Sequence, residues 1–133
     1  MEHLDDQGKV VRVIKDLKGP WHAEPCGNGH LLIAEYGSSS VRELDAKGKE
    51  VWKFQDLKFP YHAHRLPCGN TLISDGSNNR VIEVNRAGKI VWQKKGLNRP
   101  VAATRLPDGH TLIVESQGSV LELEHKHKEI LRH

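Results

Sequence analysis

The feature that most constrains this 133-residue chain is a pattern that recurs every 40 residues. In each copy a glycine followed by lysine, a leucine, a proline and a Leu-Ile pair occupy matching positions. The third copy is one residue shorter before Val120, in a turn where a deletion costs little. The glycines are Gly8, Gly48 and Gly88, and the prolines are Pro20, Pro60 and Pro100. Such periods indicate repeated units that bury their apolar faces against their neighbours.

Each copy is predicted to contain four short strands. In the second copy these strands cover residues 61–66, 71–75, 80–84 and 89–93, and polar turns rich in glycine and asparagine separate them. The alternation of apolar and polar residues along 80–84 suggests a sheet with unequal faces. Regular turn signals and the absence of a helical period predict an all-β protein.

Four-stranded antiparallel units of about 40 residues are typical of β-propeller blades. We therefore predict one domain over residues 1–133 that contains three blades, at approximately 18–54, 58–94 and 98–133. Residues 8–15 align with the fourth strand of a blade and are predicted to form an extra outer strand. One blade cannot bury both of its faces, so the tryptophans that recur in fourth strands are expected to pack between blades. They are Trp52 and Trp92.

Residues 66–73, Leu-Pro-Cys-Gly-Asn-Thr-Leu-Ile, and residues 75–81, Asp-Gly-Ser-Asn-Asn-Arg-Val, resemble NHL-type and PQQ-type propeller repeats. Residues 105–113 of the third copy look the same, and the pattern is also similar to repeats of arylsulfotransferase-like propellers. The resemblance implies a structural role for three residues of the turn, whose side chains would hydrogen-bond the tight connection. These residues are Asp75, Asn78 and Arg80.

The resemblance implies six blades, since NHL-type and arylsulfotransferase-like propellers commonly have that number, and three blades are half of it; propellers in general have four to eight. We therefore predict a homodimer that closes into a six-bladed ring, with a larger ring or a truncated natural protein as alternatives. Residues 9–14 and 128–132 both align with a fourth strand, which is one strand too many for three blades. One of them is expected to complete a blade of the partner chain by strand exchange, and the sequence does not decide which.

The first strand of each propeller blade lines the central channel, and here it carries chemically active side chains. His22 and His62 occupy equivalent positions, with Glu24 and His64 one layer further along the axis. Imidazole and carboxylate groups that converge on an axis suit a divalent metal, or an anion if the imidazoles are protonated. Alternatively, the histidines hydrogen-bond backbone carbonyls between blades. No single repeat has metal-ligand spacing, and Ala102 replaces the histidine in the third, so we predict neither a metal nor a cofactor.

Two aromatic residues, Trp21 and Tyr61, precede the channel histidines and are candidates to stack on a flat ligand at the channel mouth. Packing between blades is the competing interpretation. His30 and His110 fall in turns and are predicted to face solvent.

Composition narrows the function classes further. The net charge of +3 is spread over mixed lysine, arginine, aspartate and glutamate, which makes nucleic acid an unlikely partner. The longest apolar run, residues 31–34, is too short to span a membrane. The acidic N-terminus lacks signal-peptide features, which predicts a cytoplasmic protein, and Cys26 and Cys68 are predicted to be free thiols.

Three functional hypotheses follow. The first is a non-enzymatic binding or scaffold module that self-associates into a closed ring and takes a small molecule or protein at its channel. The second is a propeller enzyme of lactonase or arylsulfotransferase type; the latter resemblance implies a channel histidine nucleophile, His22 or His62. The third is a fragment or an engineered repeat unit without independent function. Phosphate-binding loops and nucleophile-elbow motifs are absent from the sequence, so no catalytic residue is assigned.

Overall fold

The computed structural model describes residues 8–10 and 12–124, which form three antiparallel sheets arranged as consecutive blades. Two short 3-10 turns, Tyr36–Ser38 and Gly76–Asn78, are the helical elements of this part of the chain. In it, no helix has the length and apolar character needed to cross a bilayer. The strands are β1 (Pro20–Gly27), β2 (His30–Glu35), β3 (Ser40–Leu44) and β4 (Glu50–Phe54) in blade 1, β5 (Pro60–Arg65), β6 (Thr71–Asp75), β7 (Arg80–Val84) and β8 (Ile90–Lys94) in blade 2, and β9 (Pro100–Arg105), β10 (Thr111–Glu115) and β11 (Val120–Leu123) in blade 3.

Strand order within each blade follows the chain, so neighbouring strands are joined by tight turns. Blades 1 and 2 have four strands each, and blade 3 has three within the described residues. The fourth strand predicted for blade 3, over 128–132, lies outside those residues. The all-β architecture of four-stranded antiparallel blades is confirmed.

The turn between β6 and β7 shows why the strands end where they do. The carboxylate of Asp75 is fully buried and accepts hydrogen bonds from Asn78 Nδ2 at 2.8 Å and Arg80 Nε at 2.8 Å. Its other oxygen accepts the backbone N–H of Lys58 at 2.7 Å. Asn79 then takes a left-handed conformation, φ 53°, which ends the turn. The predicted structural role of the Asp-Asn-Arg turn is confirmed.

The core lies between the blades rather than inside any one of them. Strand β5 contacts β1 and β2 of the preceding blade, and β9 contacts β5 and β6. The first strands of successive blades therefore lie side by side. The buried apolar side chains form one cluster between blades 1 and 2 and another between blades 2 and 3. The first contains Leu32, Ala34, Val41, Leu57, Ala63, Ile73, Ile82 and Val84, and the second contains Leu66, Leu72, Val81, Leu97, Ala103 and Ile113.

Burial on both sides corrects the expectation of unequal sheet faces. In β7, Val81 and Ile82 point to opposite faces, and both are fully buried. Glu83 is also buried, and its carboxylate is paired with Arg105 of blade 3 at 3.1 Å. The polar position in the alternation is thus an ion-pairing position between blades and not a solvent-facing one.

The predicted extra outer strand over residues 8–15 is not observed in the described part of that segment, where 8–10 and 12–17 have no strand assignment. A fourth strand needs the third strand of its own blade as hydrogen-bond partner. The described chain offers no such strand ahead of blade 1. The segment nevertheless lies against blade 1, since Arg12 Nη1 donates to the carbonyls of Gly29 at 3.0 Å and Ala46 at 3.4 Å.

Candidate functional site

The four polar residues predicted to face the channel lie together in the structure. Residues two apart on a strand point to the same face, so His22 and Glu24 share a face of β1. His62 and His64 are related in the same way on β5. Because β1 and β5 are adjacent, the two pairs meet, and the imidazole centroids of His22 and His62 are 4.2 Å apart with the rings tilted by 41°. We call these four residues the channel cluster.

Glu24 is the centre of the channel cluster. Its Oε1 lies 3.2 Å from His22 Nε2, and its Oε2 lies 2.9 Å from His64 Nδ1 across the blade boundary. An ionised carboxylate only accepts hydrogen bonds, so both imidazoles donate to it. Burial alone would raise the pKa of Glu24, but the hydrogen bond from His22 and the charge of His64 hold it below its ordinary value. The carboxylate is therefore negatively charged at neutral pH.

His62, in contrast to the ionised Glu24, is uncharged at neutral pH. Desolvation and the nearby His22 lower the pKa of His62 to about 4, so its imidazole is neutral at pH 7. Its Nδ1 accepts the backbone N–H of Ala103, in blade 3, at 3.5 Å. The alternative role, in which the histidines bind backbone carbonyls, does not describe these contacts, because His22 and His64 donate to a carboxylate and His62 accepts.

Four aromatic side chains form a continuous patch beside the channel cluster. Trp21 contacts Tyr36 at 5.8 Å and Tyr61 at 5.4 Å between ring centroids, both edge to face. Phe59 stacks on Tyr36 at 5.4 Å and on Tyr61 at 6.1 Å. Trp21 is 59% exposed and Phe59 is 46% exposed, so the patch offers apolar surface to solvent. Trp21 and Tyr61, the two aromatic residues predicted from the sequence, are therefore in contact within what we call the aromatic patch.

Sequence reasoning missed Tyr36 and Phe59 because neither recurs in the repeat. Glycine and serine stand at the position of Tyr36 in the later copies, and glycine and arginine at that of Phe59. The sequence signal that could have identified these two residues is that each is aromatic at a position where the other copies are not. The glycine equivalent to Tyr36 is Gly76, and a Cβ there would overlap the ring of Tyr61. Blade 2 thus leaves room for the Tyr61 ring that forms the edge of the aromatic patch.

A groove of about 470 Å³ lies between blades 1 and 2, next to the channel cluster. Glu24 and His64 contribute to its wall, so the carboxylate at the centre of the cluster is reachable from it. The groove has enough volume for a small ligand of modest size. Its lining consists of Glu24, Pro25, Cys26, His64, Arg65, Leu66, Pro67 and Gly69.

Away from the axis, a set of charged and aromatic residues joins blades 1 and 2; we call it the blade clamp. Glu43 Oε1 accepts from Arg65 at 3.1 Å and from Arg86 at 2.6 Å, and both residues belong to blade 2. The two guanidinium groups also lie over the ring of Trp52. Trp52 Nε1 donates to the carbonyl of Arg86 at 2.9 Å. The predicted packing of this tryptophan between blades is confirmed.

The expectation that His30 and His110 face solvent from turns is only partly met. His30 begins β2, and its Nδ1 lies 2.6 Å from Glu43, where it completes the blade clamp. His110 directly precedes β10, and its Nδ1 lies 2.7 Å from the exposed carboxylate of Glu122. Glu43 and Glu122 occupy the same position of the repeat, so each histidine contacts the equivalent glutamate of its own blade.

Comparison with known proteins supports the fold and leaves the function open. Neither protein-family models nor curated proteins gave a match. Among solved structures, a protein of unknown function from Bacteroides caccae aligns over 92% of this chain and 48% of its own, with 20% identity and a TM-score of 0.72. The WD40 β-propeller domain of Doa1 aligns over 82% of this chain and 38% of its own, with 14% identity and a TM-score of 0.71.

A streptogramin B lyase also aligns, over 91% of this chain and 46% of its own, with 16% identity and a TM-score of 0.65. The chain spans less than half the length of each of these three proteins. The comparisons confirm propeller blades, and they do not single out the NHL or PQQ type. Because the neighbours include both a lyase and a WD40 domain, the fold does not select between an enzyme and a binding module.

Proposed function

We propose that this chain is a non-enzymatic binding module that forms half of a six-bladed propeller and binds its ligand at the channel cluster. Two copies would close the ring. The observation that carries the proposed ring closure is the contact of Arg12 with the carbonyl of Ala46. By repeat phase Arg12 matches Trp52 and Ala46 matches Arg86, so the contact repeats the Trp52–Arg86 hydrogen bond one blade earlier. This equivalence supports a role for the N-terminal segment as the fourth strand of a blade ahead of blade 1 in the closed ring.

In the proposed ring, blade 3 of a second copy would receive this segment next to its third described strand, β11. Strand β11 pairs with β10, and no other described strand hydrogen-bonds it. In blades 1 and 2 the third strand pairs with the fourth so that Glu43 faces Trp52 and Glu83 faces Trp92. The same register between two copies would set Glu122 opposite Arg12, an ion pair across the strands.

Completion of the ring would also complete the channel. In two copies the equivalent residues His22 and His62 occur twice, which gives four imidazoles around one axis. The aromatic patch lies beside them, and aromatic faces with nearby imidazole and carboxylate groups suit a small ligand that has a flat part and a polar part. The absence of a recognisable catalytic motif from the sequence favours binding over turnover.

Mass in solution, measured by light scattering on a sizing column, tests the assembly. We expect twice the mass of one chain. We also expect Arg12→Glu to weaken the dimer by up to about fivefold, because like charges then face each other, and Arg12→Glu combined with Glu122→Arg to restore it. A folded monomer at all concentrations, or a charge swap without rescue, contradicts the proposal.

A second candidate function is a lyase or hydrolase that uses the channel cluster. It is favoured by the imidazole of His62, which is neutral and therefore able to accept a proton, and which has a ring nitrogen within 4.8 Å of a carboxylate oxygen of Glu24. A catalytically inactive variant of the virginiamycin B lyase from Staphylococcus aureus, in which a histidine is replaced by alanine, is also a structural neighbour at 15% identity. Turnover of lactone or sulfate-ester substrates that disappears in His62→Ala would establish this function and overturn the binding module.

A further inference from the structure

Three side chains of the channel cluster have the composition of a metal site. One ligand atom each from His22, Glu24 and His62 can be chosen so that all lie within 4.8 Å of one another. Two imidazoles and one carboxylate are a donor set that suits divalent transition metals. The ligands come from two blades, 40 residues apart, which is why spacing within a single repeat does not reveal them.

The distances within this group fit a small ion. His22 Nε2 and Glu24 Oε1 are 3.2 Å apart. Two ligands on a tetrahedral ion with bonds of about 2.05 Å are separated by about 3.3 Å. These two atoms therefore already lie at the spacing of neighbouring ligands. The imidazole of His62, beside that of His22, needs only a side-chain adjustment to complete one face of the tetrahedron.

His64 prepares the carboxylate for this role without being a ligand. It donates from Nδ1 to Glu24 Oε2 at 2.9 Å, across the blade boundary. That bond occupies one carboxylate oxygen and leaves Oε1 turned toward His22. Hydrogen bonds of this kind from a neighbouring residue orient metal ligands and raise their affinity. His64 is thus a positioning residue.

Metal binding costs two contacts, of which the first is the hydrogen bond from His22 Nε2 to Glu24 Oε1 at 3.2 Å, replaced by two bonds to the ion. The second is weaker. The Nδ1 of His62 accepts the N–H of Ala103 at 3.5 Å, which is at the long limit of a hydrogen bond. The contact is lost whichever ring nitrogen binds the ion, because Nδ1 then either binds the metal or carries the proton. A contact of this length is a small loss against two imidazole ligands and a carboxylate.

We propose that His22, Glu24 and His62 bind a divalent transition-metal ion such as Zn²⁺, with the fourth position left open to water or to an exogenous ligand. All three ligands belong to one chain, so the site does not depend on closure of the ring. It deepens the proposed binding function by supplying a Lewis-acidic anchor, which would hold a carboxylate or another anionic group of the channel ligand.

Titration of the metal-free full chain with Co²⁺ is the direct experiment, because tetrahedral Co²⁺ absorbs strongly in the visible region. We expect one ion per chain, displaced by Zn²⁺, with the absorption bands lost in His62→Ala. His64→Ala should bind about tenfold more weakly. The matched control is His110→Ala, in the exposed group of Asp108, His110 and Glu122, which should bind as the unaltered protein does.

Circular dichroism checks that each variant is folded. His62→Gln is a second variant, in which an amide fills much of the space of the imidazole. The proposal is overturned if Co²⁺ and Zn²⁺ fail to bind stoichiometrically, or if binding persists in a folded His62→Ala or is lost in His110→Ala. Mass in solution tests the ring separately. If the protein is a monomer that binds one ion per chain, the metal-site proposal stands and the dimer proposal is wrong.

Discussion

The interface between blades 1 and 2 and the open face of blade 3 are built from the same repeat, yet the equivalent glutamates have different burial and different cationic partners. At the interface, Glu43 is buried and receives Arg65 and Arg86. At the open face, the equivalent Glu122 is half exposed and lies beside His110. The repeat therefore supplies the residue, and a neighbouring blade supplies the burial and the charges that give the residue its role.

The equivalent valines of the three third strands make the same comparison for apolar contacts. Val41 and Val81 are fully buried, whereas Val120 is 61% exposed. Their positions in the repeat are identical, so the exposure of Val120 reflects the lack of a further blade among the described residues and not a different local fold. Apolar surface of this kind on an edge strand favours association. Closure of the proposed ring would bury Val120 as Val41 and Val81 are buried, and would so remove this difference in exposure.

The largest expected effect comes from breaking the blade clamp. Glu43→Ala leaves two arginines without their shared carboxylate and should lower the free energy of unfolding by about 3 kcal/mol. Glu122→Ala, at the same repeat position on the open face, should lower it by less than about 1 kcal/mol. Chemical denaturation of both variants checks this, and equal losses would mean that the clamp is no stronger than a surface pair.

Truncation of the equivalent valines should give the next largest difference. Val81→Ala removes fully buried methyl groups and should cost about 2 kcal/mol of unfolding free energy. Val120→Ala should change the stability of the monomeric chain by less than about 0.5 kcal/mol. Thermal unfolding at low concentration, where association is weak, separates the two. A cost for Val120→Ala that matches Val81→Ala would show that blade 3 is already covered within one chain.

The same clamp should also give the stability of the protein a dependence on pH. Burial opposes ionisation, but the hydrogen bonds from His30, Arg86 and Arg65 lower the pKa of Glu43 to about 2. The unfolded chain, with an ordinary pKa near 4.5, binds more protons in this range, so stability should fall as the pH is lowered from about 4.5 to about 2. Glu43→Gln should make the free energy of unfolding less dependent on pH between about 4.5 and about 2, as measured by denaturation at several pH values. If the pH dependence is unchanged in this variant, other groups cause it.

The sequence predicts much of this fold because the repeat marks every turn. The second and third strands of blade 2 begin and end at the predicted residues, Thr71–Asp75 and Arg80–Val84, since the buried Asp75 and the left-handed Asn79 fix the turn between them. The strand expected over 8–15 is not observed in the described part of that segment, because hydrogen bonding of a strand needs a partner that local sequence does not specify.

The candidate site was predictable in its members and not in its geometry. Repeat phase identifies His22 and His62 as equivalent, but their 4.2 Å separation depends on how closely β1 and β5 pack. The role of Glu43 as acceptor for two arginines was also missed, because its partners lie 22 and 43 residues away in the next blade. Contacts across blades are set by packing, which the period alone does not determine.

Disulfide trapping tests whether the N-terminal segment of one copy completes blade 3 of another. Arg12→Cys and Glu122→Cys would be introduced together, with Cys26→Ser and Cys68→Ser to remove the native thiols. Residues directly opposite on paired strands have Cβ atoms about 5 Å apart, close enough for a disulfide to form with small adjustments. We expect a covalent dimer under oxidising conditions that disappears on reduction. A chain that stays monomeric, while Glu122→Cys with Leu131→Cys forms an intrachain bond, would contradict it.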